Sequence, residues 1–216
     1  MSGRSFGERH FQVKNKITEN VYFNFWSEYV RNFREIGTIG PDSAVCVNGL
    51  LKSVPFESAE LIVEYGAASG SVTREILKRK NRNSTLICFE KNSAFCSLLG
   101  KTIQGRNVFV VNDDVFNAAD ILSSKFEIRT GSVDCIISTL PCSSMQFGEL
   151  LQKSVLPLLK EDGTFIQYMH TVSALKGFRL KPVLQKYFRE IDSGFVFLNI
   201  PPALIYTCRG HDRQKS

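Results

Sequence analysis

The sequence is sparing in the residues that staple or metallate small proteins: its six cysteines include no C-x-x-C pair, and histidine occurs only three times. Four of Cys46, Cys88, Cys96, Cys135, Cys142 and Cys208 lie in or beside apolar runs. They read as small buried hydrophobes in a reducing compartment, not as disulfides or zinc ligands, and no metal site is expected. No run approaches the roughly 18 consecutive apolar residues of a membrane span, and residues 1–10 lack the apolar core of a secretory signal. The expected location is cytoplasmic, with any membrane contact peripheral and at the inner face. Internal repeats are also missing, which excludes solenoid architectures.

What is present fits one α/β domain with an extension. At 216 residues and 43% hydrophobic content, the chain can bury one substantial core. Residues 1–55 read as a helical extension and 56–216 as the main domain. The 27 Lys and Arg against 21 Asp and Glu give a net charge of +6, which favours anionic partners, either nucleic acid or an acidic membrane surface.

From Leu61 onward, apolar runs alternate with segments of helical period: Leu61 to Tyr65, Thr85 to Phe89, Val108 to Val111, Val133 to Ile137 and Thr164 to Met169. This rhythm predicts a parallel sheet with crossover helices, two of them over Ser71 to Lys80 and Ser144 to Leu156. Lys181-Pro182 opens a last predicted helix that carries Val183, Leu184, Tyr187 and Phe188 at helical spacing. Two further strand-like runs, Phe195 to Ile200 and Ala203 to Cys208, are joined by Pro201-Pro202 and predict an antiparallel pair at the sheet edge.

The extension differs in character. Tyr22, Phe25 or Trp26, Tyr29, Phe33 and Ile36 fall on one side of a predicted helix, with Asn24, Ser27, Glu28, Arg31 and Asn32 opposite. Arg4, Arg9, Lys14, Lys16, Arg31 and Arg34 outnumber Glu8, Glu19 and Glu28 there, so the segment is basic, aromatic and amphipathic. Such a helix packs on a core, lids a site or docks on a membrane. Gly40-Pro41-Asp42-Ser43 then predicts a turn and capped start for a second helix, stopped by Pro55.

Glu64-Tyr65-Gly66-Ala67-Ala68-Ser69-Gly70 leaves the first predicted strand for a helix, and its glycines let the backbone approach a nucleotide-like ligand closely. Glu90 ends the second run, where a carboxylate can accept hydrogen bonds from both ribose hydroxyls. Asp113-Asp114 ends the third, within reach of an adenine amino group. Acids at three consecutive strand ends, together with the glycine loop, mark a cofactor site. Lys91, Val115, Leu140 and Pro141 flank these positions and complete the candidate cofactor set.

The Glu64–Gly70 segment resembles the first motif of class I methyltransferases, E-x-G-x-G-x-G, with Ala68 where the middle glycine stands. An added Cβ fits there if that residue keeps a negative φ. The resemblance implies a Rossmann-like fold, a mostly parallel seven-stranded sheet with a C-terminal antiparallel hairpin strand and N-terminal amphipathic helices, and S-adenosyl-L-methionine as cofactor. Ser138-Thr139-Leu140-Pro141 ends the fourth run, where base-methylating relatives usually carry Asn or Asp before Pro-Pro and an aromatic, so a nucleic-acid base is disfavoured as acceptor. That segment resembles bacterial phosphatidylethanolamine N-methyltransferases. So do Gly37-Thr38-Ile39-Gly40-Pro41-Asp42-Ser43, the run Leu159 to Tyr168, and Asn199-Ile200-Pro201-Pro202-Ala203-Leu204-Ile205-Tyr206.

The resemblance implies N-methylation of a lipid amine, phosphatidylethanolamine or its partly methylated forms, by an enzyme bound peripherally to anionic membrane. Aromatic faces suit a cationic amine product, and Tyr22, Trp26, Tyr168 and Tyr206 are the candidates for that box. Two other readings stay open: an rRNA adenine methyltransferase-like enzyme, and a methyltransferase-fold binding protein without catalysis.

Overall fold

The computed structural model describes residues 44–140, 144–170, 179–196 and 202–211. The amphipathic segment around residues 14–36, with Tyr22 and Trp26, lies outside them, as do Pro141 and Cys142. Residues 42–216 form one compact unit.

Its elements are α1 (Ala44–Leu51), β1 (Leu61–Tyr65), α2 (Ser71–Arg79), β2 (Thr85–Phe89), α3 (Ser93–Thr102), β3 (Val108–Val111), α4 (Ala118–Phe126), β4 (Val133–Ser138), α5 (Ser144–Leu150), β5 (Leu159–His170), α6 (Leu180–Leu184), β6 (Phe188–Val196) and β7 (Ala203–His211). A π-helical turn over Leu151–Val155 extends α5. The seven strands lie in the order β3-β2-β1-β4-β5-β7-β6. The first five are parallel, and β7 runs antiparallel between β5 and β6.

Strand β1 is buried along its whole length, as a central parallel strand covered on both faces must be. One face packs Val72 and Ile76 of α2, Leu99 of α3 and Cys46, Val47 and Leu50 of α1 over Ile62, Cys88 and Ile137. The other packs Ile121 and Leu122 of α4, Phe147 and Leu151 from the α5 segment and Leu184 of α6 over Val63, Phe89 and Ile136. Asp134 ties the amino ends of the strands together: its Oδ2 accepts from the backbone N–H of Glu60 and Leu61, both at 2.9 Å, and Lys160 pairs with its other oxygen.

The chain order runs outward from β1 to β3 and then crosses back to β4 on the other side of β1. This reversal makes the carboxyl ends of β1 and β4 a topological switch point, the place where open α/β sheets bind ligands.

The C-terminal part departs from the sequence pattern. The last helix ends at Leu184, and Phe188, predicted to be helical, opens β6. Strand β6 ends at Val196, so the predicted run Phe195 to Ile200 begins seven residues too late, and Pro201-Pro202 is only part of the link to β7. The reason is physical: β6 is the sheet edge, and most of Phe-Arg-Glu-Ile-Asp-Ser-Gly-Phe-Val is exposed, so charge replaces the apolar signal of a strand.

Candidate functional site

The turn from β1 to α2 is held from both neighbouring strands. On the β2 side, Gly66 N–H donates to the Phe89 carbonyl at 2.9 Å, and Ala68 N–H donates to Glu90 Oε2 at 2.9 Å. On the β4 side, Thr139 donates from its N–H to the Tyr65 carbonyl at 3.1 Å and from its hydroxyl to the Gly66 carbonyl at 2.9 Å.

The loop's curl comes from alternate left-handed residues, Gly66 (φ 83°), Ala68 (φ 45°) and Gly70 (φ 81°). A Cβ on Gly66 would stand 3.0 Å from Leu140 Cδ2 and 3.2 Å from Thr139 Oγ1; one on Gly70 would stand 2.7 Å from Leu99 Cδ2. The two glycines therefore serve close approach as well as conformation. Ala68 does not keep the negative φ that would spare it strain. It takes the backbone of the glycine it replaces, at a cost of roughly 1–2 kcal/mol.

Glu90 organises the end of β2. Its Oε1 accepts from Asn92 N–H at 2.8 Å, and Asn92 in turn caps α3 by accepting from Ala94 N–H at 2.9 Å. Burial pushes the Glu90 carboxyl above its ordinary pKa, against the backbone N–H groups of Asn92, Ala68 and Lys91. Each carboxylate oxygen has a second lone-pair site, so two further donors, such as ribose hydroxyls, can be accommodated.

Glu64, the acid of the first motif, is fully buried under α2. Its Oε2 accepts from Thr73 Oγ1 at 2.7 Å and Cys88 Sγ at 3.3 Å, while its Oε1 has no partner. Burial raises its pKa to about 7.

At the end of β3, Asp114 caps a short turn over Val115–Asn117, accepting from Phe116 N–H at 3.1 Å. Its other oxygen pairs with Lys91 at 2.9 Å, an exposed bridge between the ends of β2 and β3. Asp113 Oδ1 accepts from Asp114 N–H and from Asn117 Nδ2, both at 2.8 Å, and the Asn117 bond is the main cause of its lowered pKa. The Val115 side chain is buried beside this end.

Of the sequence-derived cofactor set, Gly66, Ala68, Gly70, Glu90, Lys91, Asp113, Asp114, Val115 and Leu140 thus sit along the carboxyl ends of β1 to β4, with Glu64 set back beneath the loop. The α2 N-terminus has no side-chain cap, which leaves its backbone donors facing the same edge. The cradle closed by Gly66 and the remaining acceptor capacity of Glu90 fit a nucleoside-bearing cofactor.

The aromatic box does not assemble in the same way. Gln167 pairs in register with Tyr206, and Tyr168 with Ile205. Successive residues on a strand alternate faces, so Tyr168 packs on the α1–α3 face and Tyr206 on the α4–α6 face. One box cannot use both from the same side of the sheet.

Thr139 and Gln167 fall inside the Ser138–Pro141 and Leu159–Tyr168 motifs, but the sequence did not give the connecting roles: Thr139 as the clasp on Gly66, Thr73 and Cys88 on Glu64, or Gln167, whose Nε2 donates to the carbonyls of Leu140 (3.2 Å) and Tyr168 (2.6 Å). Asn92 alone carried a usable signal, an Asn directly before a helical run. Among the described residues, no three His, Cys, Asp or Glu are grouped to hold a metal ion, and no helix is long and apolar enough to cross a membrane.

No protein-family model matches the chain. An ornithine lipid N-methyltransferase of Singulisphaera acidiphila is 28% identical over 194 residues, covering 88% of this chain and 96% of that protein. Among solved structures, a predicted O-methyltransferase of Agrobacterium tumefaciens superposes with a TM-score of 0.56 at 11% identity, covering 76% of this chain and 79% of that one. A precorrin-6y C5,15-methyltransferase of Geobacter metallireducens gives a TM-score of 0.55 at 19% identity, covering 76% and 86%. The chain has the class I S-adenosylmethionine-dependent methyltransferase fold.

Proposed function

We propose that the protein is an S-adenosylmethionine-dependent N-methyltransferase whose acceptor is the amine head group of a membrane lipid. The observation that carries this reading is the likeness to the ornithine lipid enzyme, which runs over most of this chain and nearly the whole of that protein. An ornithine lipid is the first acceptor to test, and phosphatidylethanolamine, to which the Ser138–Pro141 and Asn199–Tyr206 motifs point, is the second.

S-adenosylmethionine held there would supply an activated methyl group on a sulfonium and would depart as a neutral thioether, its positive charge passed to the acceptor nitrogen. The chain's own residues do the rest. The Gly66–Gly70 loop, backed by Leu140, gives close backbone approach, Glu90 accepts the ribose hydroxyls, and Asp113 and Asp114, with Lys91 and Val115 beside them, hold the adenine end; Pro141 completes the set. The acceptor ammonium gives one proton to water, and its freed lone pair takes the methyl. No covalent enzyme intermediate is needed, so alignment at about 3 Å and exclusion of water are the protein's contribution.

A two-tailed lipid leaves its bilayer only at roughly 0.8 kcal/mol per CH₂ moved into water, so the enzyme comes to the membrane. Besides the residue 14–36 segment, Arg179, Lys181, Lys186 and Arg189 are exposed with no acid among them between 179 and 189. Each basic residue near an anionic surface adds about 1 kcal/mol of attraction. The test is incubation with labelled methyl donor and vesicles containing ornithine lipid, phosphatidylethanolamine and anionic lipid. Label is expected in an amine lipid, and vesicle co-sedimentation is expected to weaken as salt rises. Label in added rRNA with none in either lipid would overturn the reading.

A further inference from the structure

One row across the sheet, read by strand register, runs Phe89, Tyr65, Ser138, Gln167, Tyr206. Register neighbours share a face, and this one is the α4–α6 face on which Tyr65 and Tyr206 pack. Ser138 is fully buried and Gln167 is 1% exposed, yet Ser138 Oγ and Gln167 Oε1 have no hydrogen-bond partner. The Gln167 amide is oriented, because its nitrogen donates to the Leu140 and Tyr168 carbonyls and leaves the oxygen as the free end. Ser138 and Leu140 flank Thr139, the clasp on Gly66, so Ser138 through the chain and Gln167 through the Leu140 carbonyl are both tied to the cofactor loop.

Two adjacent buried acceptors without donors, on the same carboxyl edge as the Gly66 loop and next to it, have a specific chemical complement. We infer that Ser138 Oγ and Gln167 Oε1 are the seat of the acceptor nitrogen, each taking one N–H of a neutral primary amine and leaving its lone pair free for the methyl, with the Tyr206 ring beside them. This rests on the amine-methyltransferase reading above and adds to it the degree of methylation the site favours. A primary amine fills both acceptors. A monomethyl amine has one N–H and leaves one acceptor bare; a dimethyl amine has none. Each methyl added therefore weakens the seat, and the first transfer is the fastest.

The test uses the full chain, labelled methyl donor and vesicles carrying either the primary-amine ornithine lipid or its monomethyl form. Ser138→Ala removes a buried hydroxyl that has no hydrogen-bond partner, so thermal stability is expected to hold or rise and calorimetric affinity for S-adenosylmethionine to stay unchanged. Its kcat/KM on the primary amine is expected to fall about tenfold, the worth of one hydrogen bond in a dry site, with little change on the monomethyl lipid, which still has Gln167. Gln167→Met keeps the side-chain length and is expected to repeat the preference for loss on the primary amine. Equal losses on both lipids, or none, would overturn the seat while leaving the function standing. A wild-type protein that binds S-adenosylmethionine but methylates no amine lipid would overturn both.

Discussion

The two halves of the sheet's carboxyl edge treat polar groups in opposite ways. At the ends of β1 to β3, Glu90 accepts backbone N–H groups on both oxygens, Asp114 and Asn92 cap helical turns, and Asn112 Nδ2 donates to the Glu90 carbonyl at 3.0 Å. Across β4 and β5, Ser138 and Gln167 each bury an acceptor with no partner. A committed polar network makes a rigid cradle that a ligand meets already formed. Unfilled buried acceptors, each destabilising by about 1–3 kcal/mol, make a site that rewards an incoming donor and discriminates by counting N–H bonds.

The comparison breaks most completely at the hinge between the halves. Gly66 touches both, since its carbonyl is held by Thr139 and its missing Cβ makes room for Leu140. Gly66→Val forces a β-branched residue to φ 83° and into that contact. Strain and overpacking together are worth several kcal/mol. Calorimetry is expected to show at least a ~100-fold loss of S-adenosylmethionine affinity, with the far-ultraviolet dichroism of the sheet retained. Unchanged affinity would mean that this loop is not the cofactor cradle.

Much of the committed half was legible in the sequence, and the reason lies in how each half is built. Strands β1, β2 and β3 coincide with the runs Leu61 to Tyr65, Thr85 to Phe89 and Val108 to Val111. For β1 and β2 this is because parallel strands covered on both faces write their limits as apolar runs; β3, a partly exposed edge strand, does so because Val-Phe-Val-Val is apolar throughout. Gly66 and Glu90 follow at their ends, local in sequence. The open half depends on register between strands far apart in the chain. That Thr139 lands on Gly66 follows from β4 returning beside β1, and that Ser138 faces Gln167 follows from the register of β5 on β4, neither of which a local pattern records. The separation of Tyr168 from Tyr206 is a matter of one residue of register, enough to send a side chain to the other face.

Glu64 sharpens the comparison because it is the exception in the committed half, with one oxygen left unpartnered. Burial raises its pKa from 4.5 to about 7. Below pH 4.5 the carboxyl is protonated in both folded and unfolded chains. Between 4.5 and about 7 only the folded chain keeps the proton, so stability falls as pH rises through that window. Urea unfolding of the cofactor-free protein at pH 5 and pH 8 is expected to show a loss about 2–3 kcal/mol greater in wild type than in Glu64→Gln. A pair of equal slopes would show Glu64 already paired and the committed half without exception.

The smallest effect is at Ala68, where strain has been accepted inside the cradle. Its φ of 45° places a Cβ in the left-handed region, which destabilises a non-glycine residue by roughly 1–2 kcal/mol. Glycine relieves that strain but leaves a more flexible unfolded chain, which takes back roughly 0.5–1 kcal/mol. Ala68→Gly is therefore expected to stabilise the fold by about 0.5–1 kcal/mol, read as a small rise in the urea midpoint. The loop itself should not move, because the Ala68 N–H that Glu90 holds is a backbone group and survives the change. Removing the Cβ also widens the cradle beside the ligand, so affinity for S-adenosylmethionine should stay level or rise. If stability rises while affinity falls, the methyl group of Ala68 is itself a contact surface for the cofactor. The strain is then held for function, and the committed half of the edge resembles the open half in keeping a local penalty that a ligand relieves.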